Sequence, residues 1–314
     1  MRTMSLPSIG FAAAIVALLP AVPAYAQSVA FVSGTGTGNA CTRVAPCNNF
    51  LTAMSVVGDG GVVVCVDAIN DITGIIFSQS VTIDCTGTYA GIGGFMFTGG
   101  NGQKVVLRGL TFEGRGVNLR GLFQSGNSSV HIENCRITGY RGVGGSNPGN
   151  GILLTPGSGE TSYLFLTDVA IEENGLAASG GGVLIQPTGS GSARVSIERT
   201  IIAKNTHGIV ADGTGTTGFV IVQVNDSRIA ANAGNGIWVK GAGVVIDHTT
   251  SKNNAGYGIL SDGSGSLVHL GASTVAGNGG GLGSPGGGQI FSYQNNQLKG
   301  NGIDGAPTGV LSLQ

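Results

Sequence analysis

VSIERTIIAKN, residues 195–205, alternates apolar and polar side chains, breaks at Glu-Arg-Thr, alternates again and stops on an asparagine. Period-2 alternation marks a strand with one buried face, and a break of two or three residues marks a bend. The same pattern recurs on both sides. Upstream lie VHIENCRI (130–137) and LFLTDVAIEEN (164–174); downstream lie VQVNDSRIAAN (222–232), VVIDHTTSKNN (244–254) and VHLGASTVAGN (268–278). Weaker copies start at Val81 (VTIDC) and Val105 (VVLRGLTF), with a last one near Ile290. A period of about 22–34 residues is that of a solenoid.

Most copies run on into a second alternating element that opens on glycine: GIVAD at Gly208, GIWVK at Gly236, GILSD at Gly258. Two or three short strands cannot bury their own apolar face, but stacked units can. The copies therefore predict a continuous Val/Ile/Leu core with strands in fixed register, the variable period being taken up by loops. RGVGGSNPGNGILLTPGSGE (141–160) reads as the longest loop. GNGGGLGSPGGG (277–288) lacks the Lys-Ser/Thr of a phosphate loop and reads as a flexible insertion. Asn174, Asn205, Asn232, Asn254, Asn278 and Asn301 fall at one equivalent position, where amides stacked at a bend can hydrogen-bond along the stack.

The flanks carry other signals. Arg2, the apolar run Ile9 to Leu19 and the small-x-small site Ala24-Tyr25-Ala26 read as a secretory signal peptide over residues 1–26. Residues 27–60 read as an N-terminal cap. Within it NNFLTAMSVVG (48–58) places Phe50, Met54 and Val57 on one helical face, with Asn48 or Asn49 to start the helix and Gly58 to end it. Residues 61–305 read as the repeat and 306–314 as an apolar tail, a possible pairing edge.

Composition narrows the partners. Charged residues are 10 % of the chain, against roughly 25 % in ordinary domains. Net charge is −1 with no basic run, which argues against nucleic acid, and no later segment has the ~18 apolar residues of a membrane span. Of five cysteines, Cys41 and Cys47 bracket a short loop. Cys65 and Cys85 would stack on adjacent rungs ~4.8 Å apart, within disulfide reach. Cys135 takes an inward position as a buried thiol. The expected compartment is secreted, periplasmic or cell-surface.

With the CTRVAPCNNFLTAM cap, the VTIDC rung, the N-x-x-x-G-I turns and the closing SYQNNQLKGNG in place, the chain resembles the secreted right-handed parallel β-helix repeat proteins of the pectin-lyase-like superfamily, over roughly residues 30–305. The resemblance implies an all-β fold: a single-stranded right-handed parallel β-helix of about nine or ten coils with a short N-terminal capping helix. Activity varies widely within that superfamily.

The alternation also places candidate site residues. One outward column reads Glu133, Thr167, Glu198, Asn225, Asp247; the bend beside it Asn134, Asp168, Arg199, Asp226, His248; a third column Arg136, Ala170, Ile201, Arg228, Thr250. Glu198, Arg199, Asp226, Arg228, Asp247 and His248 thus form the candidate patch. Carboxylates and amides on adjacent strands suit Ca²⁺, with an arginine as the base of a polysaccharide lyase. Alternatively, Glu198 and Asp247, two rungs apart, suit inverting glycoside hydrolysis. Cross-strand charge pairing is the structural reading of the same residues. Val245-Ile246-Asp247-His248 is similar to the W-I-D-H of pectate lyases with valine in place of tryptophan. Arg-x-Pro-x-x-Arg and the calcium nonapeptide are missing, and Thr206-His207-Gly208 and Arg228-Ile229-Ala230 depart from the polygalacturonase G-H-G and R-I-K. His131, His207 and His269 read as surface residues. The expected function is a non-catalytic scaffold for carbohydrate or a cell surface, without cofactor. The alternatives are a lyase or hydrolase of an acidic polysaccharide, calcium-dependent if a lyase, and a structural spacer.

Overall fold

The computed structural model describes residues 27–312 except 78, 99, 101, 117–118, 143–147 and 177–179. The expected signal peptide lies outside the described residues. The chain is a right-handed parallel β-helix: among the described residues its strands fall into three parallel sheets of twelve, ten and nine strands. Every repeat start lies in one register column of the twelve-stranded sheet, Val81, Val105, Val130, Leu164, Val195, Val222, Val244, Val268 and Ile290 each pairing with the next. All nine are buried. A one-residue slip would turn that whole column to solvent, so the alternation enforces the register.

Every coil after the first turns from the twelve- to the ten-stranded sheet through a residue with positive φ. Asn134, Asp168, Arg199, Asp226, His248 and Ala272 have φ between 41° and 56°. Asn and Asp enter this region readily, whereas Arg199, His248 and Ala272 do so at a cost of roughly 1 kcal/mol each.

At the next corner the six asparagines form a ladder. The Oδ1 of Asn232 accepts from the backbone N–H of Asn205 at 3.0 Å and from its Nδ2 at 3.2 Å, and each further step repeats this pair of bonds. The ladder starts at the Tyr140 N–H, which donates to Asn174 Oδ1, and ends on Asp304, whose Oδ1 accepts both the N–H and the Nδ2 of Asn301 at 3.0 Å. A carboxylate suits this last place because it needs only to accept. The Asn301 backbone N–H, and then its side-chain amide, hold the Asp304 carboxyl below its ordinary range. A group whose folded pKa is depressed contributes stability above its unfolded value, about 3.9, and loses it as pH falls through the folded value. We expect the Asn301 amide-proton shift to titrate with a midpoint below the ordinary aspartate range; a midpoint at or above it overturns this account.

Two disulfides, Cys41–Cys47 and Cys65–Cys85, each with Cα atoms 4.7 Å apart, tie down the first coils. Cys135 is a buried free thiol, and burial pushes its pKa up to about 12, so it is unreactive in the folded state.

Several expectations need correction. The helix spans Phe50–Val56 with Asn49 as its cap, Oδ1 accepting the Thr52 N–H at 2.7 Å. Its C-cap is Val57, not Gly58, and the chain runs straight into the strand Val57–Cys65. The supposed loop 141–160 contains the strand Asn150–Leu154 of the nine-stranded sheet, and the supposed flexible insertion contains the strand Gly280–Gly283. The first was hidden among the glycines and prolines that flank it, the second because three of its four residues are glycine. His207 is buried, not at the surface: it opens the strand His207–Asp212, and its Nδ1 accepts the Asn235 N–H at 3.0 Å. In the C-terminal tail Gly309–Val310 pairs with the strand Gln289–Ser292 as the last strand of the twelve-stranded sheet.

Candidate functional site

The six patch residues lie on three different columns of one edge. Glu198, Asn225 and Asp247 follow one another in the outward column of the twelve-stranded sheet. Arg199, Asp226 and His248 occupy the positive-φ corner, and Arg228 stands beyond it in the ten-stranded sheet. Arg199 turns toward the preceding coil and grips Asp168 with two bonds of 2.9 and 3.1 Å; Glu198 lies 3.7 Å from the same guanidinium. Asp247 Oδ2 meets His248 Nδ1 at 2.8 Å. Among the described residues neither Asp226 nor Arg228 has an ion-pair partner. The patch is therefore an exposed edge of separate pairs. Arg199 and Asp247 border hollows, and they border different ones.

The hollow at Asp247 has a simple cause. Gly271 succeeds Asp247 in the column, and a Cβ there would sit 2.9 Å from Asp247 Oδ1 and 3.3 Å from the Tyr293 ring. Without one, the column dips between Asp247 and Tyr293. The resulting space, about 400 Å³, is lined by Gln223, Asn225, Val245, Asp247, Tyr293 and Asn295. Asn295 Oδ1 accepts the Ala272 N–H at 2.9 Å, which leaves its Nδ2 to face outward. Among the described residues the side-chain amides of Gln223 and Asn225 and the hydroxyl of Tyr293 have no protein partner.

A second hollow of about 230 Å³ adjoins the first and shares Gln223 with it; Tyr163, Phe165, Arg194, Ser196 and Ile221 complete it. Phe165 stacks on His131, centroids 4.4 Å apart and planes 13° apart, while Ser129 Oγ lies 3.0 Å from His131 Nε2. Burial, followed by the nearby Lys104, lowers the His131 pKa, which favours the neutral ring. Arg194 lies over the Phe219 ring at 4.5 Å. A third hollow, about 420 Å³, opens on the neighbouring edge beside Asn134, Arg136, Asp168 and Arg199.

Sequence reasoning missed Tyr163, Gln223, Tyr293 and Asn295. The alternation of TSYLFLT does turn Tyr163 and Phe165 outward, so that pair was readable. Tyr293 and Asn295 belong to the closing coil, where the repeat blurs. The exposed Tyr257 and the half-buried Trp238 lie on the nine-stranded sheet instead.

Three parallel sheets wound around one apolar core, with a hollowed polar face along the longest of them, define a β-helix solenoid. The chain belongs to the right-handed beta helix region family, which matches residues 66–303. Among solved structures it is similar to the periplasmic alginate epimerase AlgG, at 15 % identity and a TM-score of 0.51, covering 81 % of this chain and 74 % of that one. It is also similar to pectate lyase Pel9A (14 % identity, TM-score 0.38, 80 % and 78 % covered). A third similar structure is the GH136 lacto-N-biosidase from Eubacterium ramulus (10 % identity, TM-score 0.43, 91 % and 67 % covered). At these identities the likeness is one of fold. No curated protein matches the chain.

Proposed function

We propose that the chain is an exported, non-catalytic carbohydrate-binding β-helix that holds a polysaccharide along the outer face of its twelve-stranded sheet. The observation that carries this reading is the trough made by the two hollows that share Gln223. It offers aromatic rings at Tyr163, Phe165 and Tyr293 beside amides that no protein group engages, and sugars present apolar ring faces edged by hydroxyls. The two disulfides and the signal-like N-terminus support export. The similar periplasmic epimerase acts on alginate, which accords with a polysaccharide ligand. Aromatic contacts contribute ~0.5–1.5 kcal/mol beyond area burial, so Tyr163→Ala and Tyr293→Ala should each weaken glycan affinity by up to about tenfold. Calorimetry against a panel of polysaccharides tests this; unchanged affinity in both variants, or no binding at all, would sink it.

A second reading, a polysaccharide lyase or glycoside hydrolase, draws on the Asp247–His248 pair at the rim of the trough. Glu198 stands two rungs away from Asp247, roughly 9–10 Å. Calcium for a lyase would draw on Glu198, Asn225 and Asp247; among the described residues no three His, Cys, Asp or Glu side chains group as metal ligands. Turnover of acidic polysaccharides, followed by reducing ends and unsaturated-uronate absorbance and abolished by Asp247→Ala, would establish it in place of the first.

A further inference from the structure

The trough is charged unevenly, and that asymmetry bears on which sugars it can hold. Asp247 lines one end of the trough; Glu198 stands two coils before it in the same outward column, and Asp226 at the positive-φ corner of the coil between. Arg199 is turned away toward Asp168. No basic side chain lines the Asp247 hollow, and Asp247 Oδ1 points into it, against the space over Gly271. Among the described residues the only base lining the trough is Arg194, in the other hollow, with its guanidinium over Phe219. Glu198 and Asp247 stand two coils apart in the outward column with Asn225 between them, successive coils being ~4.8 Å apart. That spacing is close to the length of one hexopyranose unit laid along the solenoid axis.

We propose that the Asp247 end of the trough binds polymers of amino sugars through their ammonium groups and rejects uronates. This inference rests on the carbohydrate-binding reading above. A sugar seated on Tyr293, with its hydroxyls on Gln223, Asn225 and Asn295, brings an amino substituent to Asp247 Oδ1 as a charge-assisted hydrogen bond. A uronate carboxylate in the same place meets a like charge with no cation within the hollow to offset it. A second amino group two rungs further along the column meets Glu198, and linked contacts raise the affinity of a polymer above that of a single residue. Charge selection of this kind weakens as salt rises.

The test measures the affinity of the full-length protein for chitosan, for the same polymer N-acetylated, for polygalacturonate and for poly-lysine, at low and moderate salt. The expected order is chitosan, then the acetylated polymer, then polygalacturonate, with chitosan binding falling as salt rises. Asp247→Asn, which keeps the shape of the hollow, is expected to cost about tenfold for chitosan and to leave the acetylated polymer nearly unchanged. Polygalacturonate binding as well as chitosan overturns the proposal and leaves carbohydrate binding standing. So does an acetylated polymer that matches chitosan, or poly-lysine binding that matches chitosan and survives Tyr293→Ala. Failure to bind any glycan overturns both.

Discussion

Replacing Asn232 by alanine is expected to destabilise the β-helix by about 3–5 kcal/mol, because two buried donors on Asn205 lose their shared acceptor at roughly 1–3 kcal/mol each and a cavity opens. Asn232 is buried. Its Oδ1 accepts from the backbone and side chain of Asn205, and its Nδ2 donates to Asn254 Oδ1 at 2.8 Å and Ile202 O at 3.4 Å. Asn232→Asp should be worse than alanine. An aspartate still accepts from Asn205, but its second oxygen faces Asn254 Oδ1 and the Ile202 carbonyl, burying a charge among acceptors. At the ladder's end the same carboxylate is stabilising, since Asp304 has no further acceptor to face. Urea titration followed by amide hydrogen exchange will show whether the loss centres on the coils around Asn205 and Asn254, as nearest-neighbour coupling in a solenoid requires. Equal tolerance of alanine and aspartate would contradict the ladder's donor and acceptor roles.

Gly208→Ala is expected to cost about 3 kcal/mol, at the upper end of overpacking penalties. A Cβ at Gly208 would lie 2.4 Å from the Gly236 carbonyl oxygen, 2.7 Å from Ile229 Cγ2 and 3.1 Å from Asn232 Nδ2. The first of these is backbone in a neighbouring strand, so relief requires prising two coils apart. Gly151, Gly182 and Gly236 meet the same carbonyl obstruction, and at these three and at Gly258 the ladder amide of the next coil lies 2.7 to 3.1 Å from the added atom. Glycine thus stands at the start of the strands of the nine-stranded sheet because the asparagine stack occupies the space a side chain would need. Gly243→Ala is the control, since its added Cβ would have only the Val220 carbonyl, 3.9 Å away, and it should change the thermal midpoint little. Comparable losses at Gly208 and Gly243 would show that steric exclusion is not the cause.

These two substitutions also explain what could be read in advance. The ladder and the glycine column recur on every coil, so they appear in the sequence as a periodic Asn and a periodic Gly-Ile, and the inward Val/Ile/Leu positions follow from alternation. Elements made largely of glycine gave no such signal: Gly280–Gly283 looked like a loose insertion, yet it closes the nine-stranded sheet. His207 looked like a surface residue because its place at a turn says nothing of the Trp238 ring 5.3 Å away, which helps to bury it.

The sequence by itself determined the architecture. Period-2 alternation repeated every 22–34 residues has one economical solution, a stack of parallel strands in register, and that register assigned Glu198, Asn225 and Asp247 to one outward column. Which of those side chains border a common hollow was decided only by the tertiary structure. Register orders residues along a column, but the direction Arg199 turns, toward Asp168 rather than Asp226, depends on rotamers at a positive-φ corner. The depth of the trough depends on what is missing at Gly271 and what Tyr293 supplies from the following coil. Periodicity reports the average coil, whereas a site is made where neighbouring coils differ.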